Sequence, residues 1–183
     1  HMRPCSATHD QDPALFWTYL LSALQEADSD VGSSALALLR APQPSTEAVI
    51  ATLINELQAR STDIVLVLDD FHAIESRDIQ SGMNALLEHQ PHRLHLVIAG
   101  RADPALPLAR LRARGELVEI RSDELRFTPV EAAAYLDGVM GLALTRQDVA
   151  ALEARTEGWI AALQLAALSM QGRDDVAGLI ESF

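Results

Sequence analysis

The sequence contains no lysine: all 14 basic residues among its 183 residues are arginines. This absence excludes Schiff-base chemistry on a lysine, and it excludes a complete Walker A loop, whose lysine reaches the β- and γ-phosphates of a nucleotide. A single cysteine, Cys5, excludes a disulfide framework and a cysteine metal cluster. Such sparse use of cysteine favours a cytoplasmic location.

Positive charge is also scarce, because 26 acidic residues against 14 basic ones give a formal net charge of −12. Such a surface repels a polyanion, so this chain is not expected to bind DNA. No apolar run approaches the roughly 18 residues of a membrane span, and no membrane partner is expected. Apolar residues make up 49% of the chain and aromatic residues only 4%, a composition typical of a helix-rich or α/β globular domain.

The chain is predicted to have three parts. Residues 1–12 are interpreted as a tag remnant and tail, since His1-Met2 is typical of a cloning scar, and the chain is then expected to be an excised piece of a longer protein. Residues 13–127 are predicted to form an α/β domain, and residues 128–183 a helical domain.

The α/β part is built around Ile64 to Leu68, five consecutive apolar residues that predict a central parallel strand buried on both faces. Asp12 as a cap and Pro13 at the first helical position predict an earlier helix over 13–26. The remaining elements predicted for this part are a helix from Ser45 or Thr46, a helix over 76–89, a strand over 93–99, a helix over 104–114 and a third, edge strand over 116–120.

From Thr128 onward the pattern is purely helical. Thr128 with Glu131 three residues later forms a capping box, which marks the start of a helix. The helices predicted for this part cover residues 129–140, 145–155, 158–171 and 174–182.

Two carboxylates, Asp69 and Asp70, directly follow the first strand. A buried strand that ends in an acidic pair is typical of a Walker B element, because open α/β sheets bind ligands at the carboxyl ends of their strands. In this interpretation Asp69 holds Mg²⁺, directly or through water, and Asp70 is the catalytic residue that orients or deprotonates the attacking water. The alternative is that the pair only forms a turn and caps a helix.

Arg101 follows Gly100 at the end of the next predicted strand. Neighbouring parallel strands end at the same edge of a sheet, so Arg101 is predicted to lie near Asp69 and Asp70. There it would contact the γ-phosphate of a nucleotide and sense its presence by charge. The alternative is an arginine that simply pairs with one of these carboxylates or with Asp103.

In the helical part, Gly158 and Trp159 open the most apolar helix. Glycine lets a backbone approach something closely, and tryptophan offers a flat surface on which a purine can stack. The pair is therefore a candidate nucleotide contact. The alternative is an ordinary helix start with a tryptophan in the core.

An ordered series of segments resembles a known family. The segments are DPALFWTYL (12–20), LVLDDFH (66–72), GRADPALPLARLRARGEL (100–117), LRFTPVEA (125–132) and TEGWIAALQLA (156–166). Together they look like the MalT-like, LuxR-family large ATP-dependent transcriptional regulators, which belong to the signal-transducing (STAND) class of P-loop ATPases. The resemblance covers about residues 10–182, and the series is far more specific than any single motif.

The resemblance implies an incomplete parallel P-loop NTPase sheet with flanking helices, followed by an all-helical domain. Residues 13–127 would then be a partial nucleotide-binding α/β domain and residues 128–183 the helical domain. It also implies that Asp69 is the Mg²⁺-side Walker B aspartate, Asp70 its catalytic neighbour and Arg101 a sensor-like arginine. Gly158-Trp159-Ile160 stands where the wider class has a Gly-x-Pro element that contacts adenine, which puts a proline-mediated contact in doubt. The Walker A loop of the family lies just before the point where this chain starts.

The sequence thus predicts a fragment of the nucleotide-binding and oligomerisation region of an ATP-dependent, signal-responsive transcription regulator. In the full-length protein, ATP or ADP with Mg²⁺ is the expected cofactor, slow regulatory ATP hydrolysis the expected activity and self-association the expected response. A small-molecule or protein inducer and DNA would bind parts absent here, and this fragment alone is expected to be inactive and to bind no nucleotide tightly. The alternatives are a fragment of an AAA+-like active ATPase and a nucleotide-independent helical interaction module.

Overall fold

The computed structural model describes residues 11–171 together with residues 178 and 180. The chain divides into two compact units, residues 1–114 and 115–183. Residues 115–127, which the sequence groups with the α/β part, thus fall in the second unit. The helix predicted over 174–182 lies almost entirely outside the described residues.

The first unit mixes helices with two short strands. Asp12 starts its first helix, because the Asp12 carboxylate accepts hydrogen bonds from the backbone N–H groups of Ala14 and Leu15 at 2.8 and 3.3 Å. The elements of this unit are α1 (Pro13–Ala27), α2 (Ser33–Leu39), α3 (Thr46–Gln58), β1 (Ile64–Leu68), a 3₁₀ turn (Phe71–Ala73), α4 (Arg77–Glu88), β2 (Leu94–Ile98) and α5 (Leu108–Arg114).

β1 and β2 pair in parallel, with Ile64 opposite Leu94 and Leu68 opposite Ile98. The predicted strand–helix–strand unit is thereby confirmed, and the first unit is a mixed α/β structure. The third strand predicted over 116–120 is wrong, since these described residues form no strand. Val118 and Ile120 are 88% and 66% exposed, so the apolar alternation that suggested a strand has no core to face.

Only one face of the two-stranded sheet is covered within this unit. Ile64, Leu66 and Leu68 are buried in one core with residues of α1, α2, α3 and α4. On the other face Val65, Val67 and Val97 are 62%, 52% and 47% exposed. The prediction that β1 is buried on both faces is therefore wrong for this chain, because alternate side chains point to opposite faces and the described helices of this unit cover only one of them.

The second unit contains three described helices: α6 (Pro129–Gly138), α7 (Arg146–Thr156) and α8 (Ile160–Met170). They share an apolar core of their own, centred on residues such as Leu136, Leu152 and Leu163. The capping box predicted at Thr128 is present. No helix among the described residues is both long enough and apolar enough to cross a membrane.

Candidate functional site at the end of the parallel strands

The carboxyl ends of β1 and β2 lie side by side. The backbone N–H of Ala99 donates to the carbonyl oxygen of Leu68 at 2.9 Å, and that of Phe71 donates to the carbonyl oxygen of Ala99 at 3.1 Å. The two segments therefore stay paired beyond the ends of the strands. This brings the Asp69-Asp70 segment next to the Gly100-Arg101 segment, as the sequence predicts.

Asp69 is exposed and follows Val65 and Val67 at the two-residue spacing of the open sheet face. Its Oδ1 accepts the backbone N–H of Asp70 at 2.9 Å. Among the described residues, no group of three or more His, Cys, Asp or Glu side chains is placed to share a metal ion. A carboxylate such as that of Asp69 suits Mg²⁺, an ion that keeps several waters and also uses phosphate oxygens as ligands.

Asp70 has an unusual backbone conformation and leaves its carboxylate unused as a cap. Its φ of 52° and ψ of 27° lie in the left-handed region, which residues other than glycine rarely adopt. It precedes the 3₁₀ turn Phe71–Ala73, yet its side chain makes no capping hydrogen bond. The capping role that the alternative interpretation requires is thus not performed by Asp70.

Arg101 lies beyond the end of β2 with its side chain exposed to solvent. Among the described residues it forms no ion pair with Asp69 or Asp70, although the paired strand ends bring the two segments together. An exposed guanidinium at this edge is available to an anion that binds between the strand ends.

Gly158 and Trp159 belong to the second unit, whereas Asp69, Asp70 and Arg101 belong to the first. Gly158 has a φ of +73°, and a Cβ atom at this position would stand 2.6 Å from the carbonyl oxygen of Phe127. The Phe127 N–H also donates to the Gly158 carbonyl oxygen at 2.8 Å. The close approach that this glycine permits is therefore made by the chain's own backbone.

Trp159 is the N-cap residue immediately before α8 and is 39% exposed. The Arg126 guanidinium carbon lies 5.6 Å from the centre of its ring, and Arg126 pairs with Glu157 at 3.4 Å. One face of the indole is thus covered by a cation from the same unit. A nucleotide contact by Gly158 and Trp159 stays a prediction.

Two residues at the strand ends have no role in the sequence-based prediction. His72 lies inside the LVLDDFH segment, and its Nδ1 is 3.7 Å from Oδ1 of Asp70. Gln11 donates from its side-chain amide to the carbonyl of Ala73 at 2.7 Å and accepts the N–H groups of Glu75 and Ser76 at 2.9 and 2.8 Å. Proximity to the acidic pair could have pointed to His72, whereas nothing in the sequence pattern points to Gln11.

A parallel strand pair with an acidic pair and an arginine at its carboxyl end, followed by a helical unit, defines a piece of a mixed α/β protein with a candidate phosphate site. No protein-family model matches the chain. Among curated proteins, it is 36% identical over 172 residues to the serine/threonine-protein kinase PknK of Mycobacterium tuberculosis, a match that covers 93% of this chain and 16% of PknK.

The chain is also similar to HTH-type transcriptional regulators named MalT. It is 37% identical over 161 residues to the regulator of Yersinia enterocolitica, covering 87% of this chain and 18% of the relative. It is 34% identical over 169 residues to that of Klebsiella pneumoniae, covering 92% and 19%. The chain belongs to the MalT-like family, and it spans less than a fifth of the length of the curated relatives it matches.

Proposed function

We propose that this chain is part of the nucleotide-binding region of a signal-responsive transcription regulator, in which it supplies the Walker B side of an ATP/ADP switch. The observation that carries the proposal is the parallel register of β1 and β2, which brings Asp69, Asp70 and Arg101 to one edge of the sheet. Carboxylates and a guanidinium at the ends of neighbouring strands suit a magnesium–phosphate group.

Each of the three side chains has a distinct role in this proposal. Asp69 contributes a carboxylate to Mg²⁺, Asp70 faces the attacking water, and Arg101 distinguishes ATP from ADP by contact with the γ-phosphate. The lysine and the glycine-rich loop that cradle the phosphates would come from other parts of the longer protein, because this chain has no lysine.

The relatives support a role as a switch rather than an output domain. One relative is named a protein kinase and others are named HTH-type transcriptional regulators, yet they match the same segment. A segment common to both suits regulation of either output. In the longer regulator, DNA and an inducer would bind other parts, and self-association would follow ATP binding.

The proposal is tested by nucleotide binding to the complete gene product. We expect Asp69→Asn to weaken the affinity for ATP in the presence of Mg²⁺ by about 10-fold or more, since it removes the carboxylate charge that holds the ion. Binding of ATP without Mg²⁺ should change little. Isothermal titration calorimetry with ATP and ADP, with and without Mg²⁺, measures both.

The matched control is Asp63→Asn. Asp63 is exposed, precedes β1 at the opposite end of the strand and pairs with Arg93 at 3.2 Å. It should leave the affinity for ATP unchanged. If Asp69→Asn binds Mg·ATP as tightly as the wild type, Asp69 holds no ion and the acidic pair serves only as a turn. If the wild-type gene product binds no ATP, a nucleotide-independent interaction module becomes the better account.

A further inference from the structure

A buried nitrogen of His72 has no hydrogen-bond partner within the described part of the chain. Its Nδ1 is shielded from solvent and accepts or donates no hydrogen bond. Buried polar atoms are nearly always paired in proteins, so an unpaired one calls for an explanation. The nearest carboxylate oxygen recorded for it is Oδ1 of Asp70 at 3.7 Å, just beyond hydrogen-bond distance.

Two neighbouring residues, Phe71 and Gly100, determine where the imidazole lies. The adjacent Phe71 is buried in the core and its N–H pairs with the carbonyl of Ala99, which fixes the turn. Opposite the ring lies Gly100, where an added Cβ would stand 3.3 Å from Cβ and 3.4 Å from Nδ1 of His72. A side chain at position 100 would therefore contact His72 closely, and one of the two residues would have to shift by a few tenths of an ångström.

Asp70, whose carboxylate lies 3.7 Å from this imidazole, has a left-handed backbone conformation. Asp70 occupies the left-handed region without glycine's freedom, and strain of this kind is retained where the surrounding structure or the function requires it. Its side chain is 57% exposed, so the carboxylate can reach solvent while one of its oxygens faces His72. Among the described residues, no hydrogen bond fixes the orientation of the Asp70 carboxylate.

We propose that His72 is a positioning residue for Asp70 in hydrolysis of a nucleoside triphosphate. A shift of about 0.8 Å brings Nδ1 and Oδ1 from 3.7 Å to the usual 2.9 Å, so that the Nδ1–H group donates to the Asp70 carboxylate. The other carboxylate oxygen is then turned toward the attacking water. This inference rests on the proposed function, in which Asp70 faces that water.

In the reaction, the water oxygen forms a bond to the γ-phosphorus while the bond from that phosphorus to the β,γ-bridging oxygen breaks. The proton of the water passes to Asp70 and then to inorganic phosphate, and the bridging oxygen leaves with ADP. His72 neither gains nor loses a proton. It fixes the direction of the Asp70 carboxylate, so its loss should slow hydrolysis and leave nucleotide binding intact.

The experiment compares two amides at position 72 in the complete gene product. The amide of His72→Asn can place a donor where Nδ1 stands, whereas that of His72→Gln places it near Nε2. We expect His72→Gln to lower the single-turnover rate of Mg·ATP hydrolysis about 10-fold, less than the loss of a general base, and His72→Asn to retain most of the rate. The Kd for Mg·ATP should stay within about 2-fold for both variants, because the hydrogen bond from His72 orients Asp70 and does not contact the nucleotide. His92→Gln, at an exposed histidine before β2, is the control and should be unchanged.

Gly100→Ala provides a test that keeps His72 itself. It should slow hydrolysis by less than His72→Gln, because the added Cβ asks for a shift of only a few tenths of an ångström. Mg·ATP should still bind, and this variant decides the question if the His72 variants fail to fold. The proposal is overturned if His72→Gln or Gly100→Ala hydrolyses at the wild-type rate, or if His72→Asn is as slow as His72→Gln. It is also overturned if the wild type binds Mg·ATP without hydrolysing it, a result that leaves the proposed function standing; absence of Mg·ATP binding would instead remove both.

Discussion

At the scale of single residues, Gly82 shows how closely the apolar core of the first unit is packed. A Cβ atom on this residue of α4 would stand 2.6 Å from Cζ2 of Trp17 and 3.1 Å from Cδ1 of Ile50. Trp17 is completely buried, so it has little room to move away. We expect Gly82→Ala to lower the free energy of unfolding by about 1–2 kcal/mol, since overpacking outweighs the gain in helix propensity.

The control for helix propensity is Gly138→Ala, at the end of α6, where an added Cβ meets nothing within 4 Å. That substitution should be neutral or stabilise by up to about 1 kcal/mol. Urea unfolding followed by circular dichroism measures both changes. Equal effects of the two substitutions would show that the contact with Trp17 relaxes without cost.

Gly158 is a second position where a side chain meets backbone, and a matched glycine separates the two causes of strain. Gly158 and Gly141 both have positive φ, at +73° and +68°. An added Cβ at Gly158 would stand 2.6 Å from the carbonyl oxygen of Phe127, whereas one at Gly141 would meet nothing within 4 Å. Gly141→Ala should cost about 1–2 kcal/mol for its conformation alone. Gly158→Ala should cost clearly more.

Thermal unfolding of the two variants tests this difference. A similar loss of stability in both would mean that the Phe127 backbone yields to the new side chain. The comparison also bears on the predicted nucleotide contact. A large loss of stability in Gly158→Ala would mean that glycine is required at this position by its contact with the Phe127 backbone. Nucleotide-binding data on that variant would then need correction for the unfolded fraction.

At the scale of an element, the start of α6 predicts a dependence on pH. The Glu131 carboxylate accepts the backbone N–H of Thr128 at 2.9 Å and its hydroxyl at 2.8 Å. These two hydrogen bonds lower the pKa of Glu131 below its usual value of 4.5. Because the pKa of Glu131 is lower in the folded state, its charged form stabilises the fold, and this contribution is fully present above the usual pKa of 4.5. The contribution disappears as the pH falls through the lowered pKa.

We therefore expect Glu131→Gln to be less stable than the wild type at neutral pH, with a difference that shrinks below about pH 4.5. Urea unfolding of the chain between about pH 3 and pH 7 measures the difference. Thr128→Ser, which keeps both the N–H and the hydroxyl, should follow the wild-type profile. A gap between Glu131→Gln and the wild type that stays constant with pH would contradict the assigned cause.

The elements that the sequence predicts best are those with local signals. β1 has the predicted ends because its five apolar residues stand between Asp63 and Asp69, and α1 starts at Pro13 because Asp12 caps it. The exposure of Val65 and Val67 could not be predicted, because burial of a strand face depends on what packs against it. The false strand over 116–120 has the same origin: alternation suits a strand only where a neighbour and a core exist.

For the candidate site, the sequence predicts which segments meet but not how their side chains are used. The neighbourhood of Asp70 and Arg101 follows from strand order, since parallel strands end at one edge. The left-handed backbone of Asp70, the unpaired nitrogen of His72 and the contact of Gln11 with Ala73, 62 residues away, depend on tertiary structure. A pattern with a period of two or 3.6 residues has no information on such contacts.

At the scale of the whole molecule, charge and composition determine the affinity expected of this chain for ATP. Its net charge is −12, and it has no lysine to reach the β- and γ-phosphates. The described strand edge offers Arg101 as a cation beside two carboxylates, so without a phosphate-cradling loop the polyanion meets mostly repulsion. We expect the 183-residue chain to bind Mg·ATP with a Kd weaker than about 1 mM.

Calorimetric titration of the 183-residue chain with Mg·ATP and with ADP measures this affinity, and Asp69→Ala is the control. Any weak binding at the strand edge should disappear in that variant, because the Mg²⁺ ligand is lost, whereas binding that persists lies elsewhere on the molecule. Micromolar binding by the wild-type chain would contradict the prediction. It would mean that arginines and backbone N–H groups of this chain suffice to hold the phosphates, and that the switch needs no lysine from the longer protein.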